Sequence, residues 1–545
     1  MRSTQRRLAA LLGIAAVVPL AEVLVLMPSG FVTAKGLAPQ ISAVWPYDSY
    51  HDMRWLLVYH NSWLTFWAGL LGAILLRGVL SATLVGLAWP ARVPRPPYRA
   101  LLRRNLEVAA LGAVLVLPFA AYSVAASVAS LSWFLFASLV PMVLLAPFLQ
   151  RMSVGRGLWR GLPSAELVAW SLLDFVVISV AGGLVGSAPQ ALTPLVAAVA
   201  GAVNGLLWNR TVRAAVLQKQ VRWRRVPVVP IVVVLALAIP LTAQALFEPR
   251  RQAAPFTPPI FDRLLPERVP YAVILLAGHN SAYDGRPATD PNVERFSYVG
   301  LGAGGHPLPY GPRATHRSLT SSSHLLALQV EAVHRRTGRP IALVAQSEGV
   351  MVARTYLRDL PDSPVRALAM FSPLVRTGRT YYPPPDASTG WGLATGWVLR
   401  ALFHVTTIGS AAPSTPDEPF IRSLLDEAPF YRYQTLCPVQ GVRVIAFLPT
   451  VTAAEAPPGQ LIHIPVVEVS AFHGKIIDRA DATDDLTDFL AGEDVNRRRR
   501  EFGLLQRLGA AWHAPALAIE LNPVWRPTAA PGSPFTPSRF CGPVR

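Results

Sequence analysis

"ALVAQSEGVMVARTYL", residues 342–357, decides how the second half of the chain is read. An apolar run of strand type ends at Gln346, Ser347 stands at the corner, and helical spacing begins near Gly349. A strand that turns sharply into a helix lifts the corner side chain above the sheet, and so tight a turn needs small residues on either side. The five residues are Ala345, Gln346, Ser347, Glu348 and Gly349, with alanine at the first small position.

The flanking sequence supplies the rest of a sheet. "YAVILLAG" (271–278), "PIALVAQ" (340–346), "VRALAMFS" (365–372), "VRVIAFLP" (442–449) and "IPVVEVS" (464–470) read as strands. Residues 324–336, 349–358 and the segment starting "TDDLTDFL" (483–490) read as helices. Alternation of this kind predicts a mostly parallel sheet with helices on both faces. With the corner serine in that context, residues 268–491 resemble the α/β-hydrolase superfamily.

The resemblance implies a nucleophile, an acid and a histidine in that chain order. Ser347 matches the nucleophile, with Ala345 and Gly349 as the turn residues. His473, in "VVEVSAFHGKIID" after the last strand, matches the general base. Glu455, in "TVTAAEAPP", is the one carboxylate between the last two strands and the first choice for the acid; Asp386, Asp478 and Asp481 are alternatives. The oxyanion would take the backbone N–H of Glu348 and a second from His279 or Asn280 in "AGHNSAYDG". "FSYVGLGAGGHPLPYG" (296–311) occupies the place of the loop and second strand, and no Gly-Lys-Ser/Thr follows its glycines. Residues 374–441 form an insertion where such folds carry a cap. Trp391, Trp397, Leu399, Leu402 and Phe403 are candidates for an acyl pocket, ordinary packing of a cap helix being the equal alternative.

The first half is of another kind. Residues 1–247 hold 20 Lys+Arg against 6 Asp+Glu, whereas the remaining residues hold 30 against 26. A bilayer-crossing helix needs about 20 apolar residues, and spans are expected near 8–27, 61–88, 106–127, 130–149, 166–187, 190–208 and 226–246, with a reversal in "SVAASVAS" (123–130) and another in "GSAPQ" (186–190). Seventeen of the 20 basic residues fall at the N-terminus or after the second, fourth and sixth of these spans. The positive-inside rule then puts the N-terminus in the cytoplasm and the C-terminal domain outside it. Basic blocks between apolar runs read as topology signals, which argues against a nucleic-acid surface. The first apolar run has a cleaved signal peptide as its alternative. Arg77, Asp174, Asn204 and Glu107 are polar positions in or beside spans, fit for a buried pair as much as for a transport path.

The expected architecture is therefore an all-α transmembrane bundle of about seven spans (1–247), a proline-rich spacer (248–267) and an extracytoplasmic α/β domain (268–545) with a C-terminal extension (492–545). Both cysteines, Cys437 and Cys541, lie in the outer part and make a candidate disulfide. Without HExxH or CxxC, no metal or cofactor is expected. The expected chemistry is ester hydrolysis by Ser347, His473 and Glu455 on a lipid or other apolar ester. An acyltransferase using the same acyl-enzyme, or an inactive binding module, are the alternatives. The oligomeric state is not legible.

Overall fold

The computed structural model describes residues 2–29, 31–129, 132–155, 162–217, 255–406, 414–434, 436–449, 464–495, 508–509 and 511–526. The N-terminal half is helical: α1 (Arg2–Leu26), α2 (Tyr47–Val58), α3 (Trp63–Ala88), α4 (Tyr98–Ala129), α5 (Ser132–Val154), α6 (Ala165–Ser187) and α7 (Thr193–Val216). Five of these, α1, α3, α4, α5 and α6, are long and apolar enough to cross a membrane, against the seven expected. The sixth expected span coincides with α7, whose apolar run is diluted by Asn204, Asn209, Arg210 and Arg213. The seventh, 226–246, lies outside the described residues. Helix α1 is built into the bundle: a Cβ on Gly201 of α7 would fall 2.1 Å from the Ala15 carbonyl oxygen, so only glycine permits this approach.

Of two features of this half, the reversal falls where the sequence put it and the segment between α1 and α3 was not expected. The reversal between α4 and α5 comes after Ala129, at the very end of "SVAASVAS", so α4 runs 32 residues. That is about 48 Å, well beyond a hydrocarbon core of about 30 Å. Between α1 and α3, a 3-10 segment (Val32–Ser42) and α2 form a buried plug. Arg77 of α3 bonds to Asp52 of this plug, at 2.6 Å for one pair, and Asn204 donates to the Pro39 carbonyl at 2.6 Å. Glu107 pairs with Arg103 on the surface, and Asp174 is buried beside Tyr47. Arg77, Asn204 and Glu107 are thus accounted for by structural partners.

The C-terminal half is a six-stranded, wholly parallel sheet in the order β2-β1-β3-β4-β5-β6: β1 (Ala272–Leu276), β2 (Val293–Arg295), β3 (Ile341–Gln346), β4 (Val365–Phe371), β5 (Arg443–Pro449) and β6 (Val466–Val469). Buried residues on both faces explain the continuous apolar runs. The second strand is Val293–Arg295, just upstream of the glycine-rich stretch expected to carry it. Helices α8 (Leu319–Thr337), α9 (Glu348–Asp359) and α13 (Ala480–Ala491) fall where periodicity put them. Within the cap lie α10 (Leu393–Thr406), α11 (Pro419–Asp426) and α12 (Ala428–Gln434). The spacer is docked from residue 255 on: Ile260 and Phe261 are buried in the sheet's core, and Arg268 reaches Glu493 at 3.0 Å.

The two halves interlock. Backbone N–H groups of Gly378 and Arg379 donate to Val128 and Ser127 at the end of α4, and those of Gly390 and Gly392 donate to Asn61 and His60. The C-terminal extension runs into the helical half. Trp512 is buried against Tyr47, Tyr50 and Phe175 and donates to Ser179, while Arg54 donates to the His513 carbonyl at 2.9 Å. Trp512→Ala should lower stability by about 3–5 kcal/mol, read as a lower thermal unfolding midpoint in detergent. The half-exposed Trp397 is the control, and its alanine variant should stay within about 1 kcal/mol.

Candidate active site

The corner forms as the sequence requires. Ser347 follows β3 and caps α9 at φ 51° and ψ −114°, a conformation costly for any residue with a Cβ. It is held by Ser347 N–H donating to the Phe371 carbonyl at 2.9 Å, one strand over. Gly349 is obligatory on packing grounds: a Cβ there would meet Leu276 Cβ and its carbonyl oxygen at 2.8 Å. Gly278 brings the loop after β1 so close that its Cβ would sit 3.1 Å from Ser347 Cβ.

Across the corner, Ser347 Oγ and His473 Nε2 are 2.9 Å apart. The loop carrying His473 is anchored to the strand that leads into Ser347, because Gln346 donates to the Gly474 carbonyl at 2.8 Å. Of the acid candidates, Asp478 is paired with Lys475, Asp481 with Arg479, and Asp386 is exposed. Glu455 lies outside the described residues. Of the two oxyanion candidates, Asn280 already donates its N–H to Thr315 Oγ1 at 2.9 Å, which leaves His279 beside the Glu348 N–H at the start of α9.

Ser347 opens on a cavity of about 910 Å³, its mouth included. One wall comes from the helical half: Tyr122, Ala125, Val128 and Ala129 of α4 and Phe134 of α5. The facing wall is cap and sheet edge, with Leu374, Tyr382, Leu399, Phe403, Phe420 and Ile421. Leu399 and Phe403 were foreseen. Trp391 instead packs on Tyr59 and donates to the Leu521 carbonyl, and Trp397 lies half-exposed under Arg400. The helical wall was missed. Its signal was a run of small residues at four-residue spacing (Ala121, Ala125, Ala129) inside an apolar stretch. Cys437 is disulfide-bonded, and Cys541 lies outside the described residues.

No family model matches this sequence, and no curated protein is found to be similar to it.

A second polar group borders the cavity. His279 Nδ1 is 2.8 Å from Glu348 Oε2, and its Nε2 is 3.1 Å from Glu418 Oε1. His316 stacks on His279 and lies 3.2 Å from Glu418 Oε2 and 2.8 Å from Asn280 Oδ1. His279, His316 and Glu418 each offer a metal-ligating atom, all within 4.8 Å of one another. Burial opposes charge on His279, but the hydrogen bond to Glu348, the close contact with Glu418 and the charges of both carboxylates overcome it and push the imidazole up to about 10. Burial holds Glu348 at about 7 against the pull of His279. A histidine raised in this way stabilises the fold fully below its ordinary 6.5, and the gain is lost as pH rises through about 10. In EDTA-treated protein, His279→Ala should cost about 3 kcal/mol at neutral pH by leaving buried carboxylates without a counter-charge. Thermal melts should show that deficit narrowing as pH passes about 10.

Proposed function

We propose that this chain is a membrane-embedded serine hydrolase acting on a lipid-like ester, and the observation that carries the reading is the 2.9 Å Ser347–His473 contact inside a cavity walled by apolar helices. Ser347 Oγ attacks the acyl carbonyl carbon while His473 Nε2 takes its proton. The Glu348 and His279 backbone N–H groups receive the oxyanion, and Glu455 orients the imidazole. Collapse of the tetrahedral intermediate expels the alcohol, protonated by His473, and water activated by the same imidazole then frees Ser347 as the acid leaves.

Two further points support the lipid assignment. The overlong α4 carries its last turns past the bilayer core to the cavity, so a wall that meets acyl chains below continues up to the nucleophile. Among the described residues, the α/β half meets the helical half away from the arginine clusters: at the α1–α3 plug, the α4 C-terminus, Phe134 at the start of α5 and the Phe175–Gly182 stretch of α6. With the basic ends cytoplasmic, the site faces the outer leaflet, and seven crossings would keep that arrangement.

A fluorescent fluorophosphonate should label wild-type membranes and not Ser347→Ala, and His473→Ala should slow labelling by about 10⁴-fold. Absence of labelling in a folded wild type beside a labelled control hydrolase would sink the proposal. Ala125→Phe should fill the helical wall. Its kcat/KM for a laurate ester should fall about tenfold relative to a butyrate ester, with fluorophosphonate labelling retained.

A further inference from the structure

The His279 cluster has a geometry that a serine hydrolase does not need. His279 Nδ1 is committed to Glu348 Oε2, and His316 Nε2 to Asn280 Oδ1, each at 2.8 Å. Asn280 has its oxygen toward His316 because its amide nitrogen faces Ser414 Oγ at 3.4 Å. With both imidazoles donating outward in this way, a cation that takes the place of the proton between His279 and Glu418 would meet the lone pairs of the two remaining ring nitrogens. What they meet is the Glu418 carboxylate, at 3.1 and 3.2 Å. Three electron-pair donors thus converge. Glu418 is 6 % exposed, and its Oε1, though 3.1 Å from His279, receives no aligned hydrogen bond.

We propose that His279 Nε2, His316 Nδ1 and Glu418 form a three-ligand site for a zinc-class divalent cation, with the remaining coordination position directed to the Ser347 cavity, which His279 and Glu418 line. Zinc bonds to nitrogen and carboxylate oxygen are about 2.0–2.2 Å, which at a tetrahedral angle separates ligand atoms by about 3.3–3.5 Å. The 3.1 and 3.2 Å contacts run to different oxygens of Glu418, and the three ligand atoms lie within 4.8 Å of one another, so a cation would draw the set together. Two imidazoles and one carboxylate suit zinc, cobalt or iron and not calcium or magnesium, which take oxygen sets. The outer partners complete the pattern: an imidazole whose far N–H is held by a carboxylate or amide oxygen is fixed in the metal-binding tautomer.

The site joins three segments. His279 is on the loop proposed to hold the oxyanion, His316 ends a 3-10 turn (Pro312–His316), and Glu418 precedes α11 in the cap. A bound cation would clamp loop and cap over Ser347, making His316 and Glu418 positioning residues. Binding would displace a proton from His279, since metal and proton compete for the same lone pair.

The test is titration of the EDTA-treated, detergent-solubilised full chain with Co²⁺, read by the visible absorption of tetrahedral cobalt. Wild type should saturate at one cobalt per chain, and Zn²⁺ should displace it. His316→Ala and Glu418→Gln should each weaken binding at least about tenfold, with melting checked in parallel. Ser347→Ala should bind as wild type, so the site stands apart from the nucleophile. Absence of a saturable band in a wild type that still reacts with fluorophosphonate would overturn the metal site and leave the hydrolase reading intact. Unchanged binding in both ligand variants would overturn it too. Cobalt bound through these residues in a chain unreactive to fluorophosphonate would uphold the site and remove the hydrolase reading instead.

Discussion

The rest of the structure depends on the seating of the α/β half against the helix ends, and that seating is made of backbone. Four N–H groups of the cap, at 378, 379, 390 and 392, find their acceptors in residues 60–61 and 127–128. Buried amide groups that lose their partners cost roughly 1–3 kcal/mol each, so the cap cannot lift piecemeal. Because the cavity takes one wall from each half, its shape is fixed by this seam and not by either half alone. Thr395 and Ala394 extend the seam by bonding to Leu57 and His60.

Above the seam, geometry at the corner is over-determined. Ser347 keeps a positive φ because the β3–β4 pairing, the Phe371 carbonyl and the glycine at 349 leave its backbone no alternative. The same constraint puts Glu348 at the start of α9 with its side chain fully buried, which obliges the fold to supply a partner for it. His279 is that partner. The strained backbone at Ser347 and the polar cluster are thus consequences of one tight turn.

What the sequence could and could not disclose follows from the range of the interactions. The five foreseen strands, the corner serine and His473 were legible because each is set by a short run of residues: alternation of apolar runs, a small-residue turn, a histidine just past a strand. The second strand at Val293–Arg295 was misplaced by a few residues, since a glycine-rich stretch contains no internal marker of where it turns. Asn280 looked equal to His279 until Thr315 was seen to take its N–H. The helical wall, the docking of Trp512 and the cluster of His279, His316 and Glu418 join residues far apart in the chain, and no local spacing announces them. Trp391 and Trp397 were attractive by type, yet one packs on Tyr59 and the other is half-exposed.

The segment around Trp512 also bears on how such a molecule is made. Ser123, near the end of α4, donates to the Trp512 carbonyl, a partner 389 residues later in the chain. The helices therefore enter the bilayer long before the tryptophan that fills the space among Tyr47, Tyr50 and Phe175 has been synthesised. Until it arrives, that space is an open pocket in a nascent protein, and Arg54 lacks the carbonyl at 513 that it finally holds. Completion of the bundle interior is thus a late event in biosynthesis, and a ribosome stalled before residue 512 would leave an inserted bundle with that space unfilled.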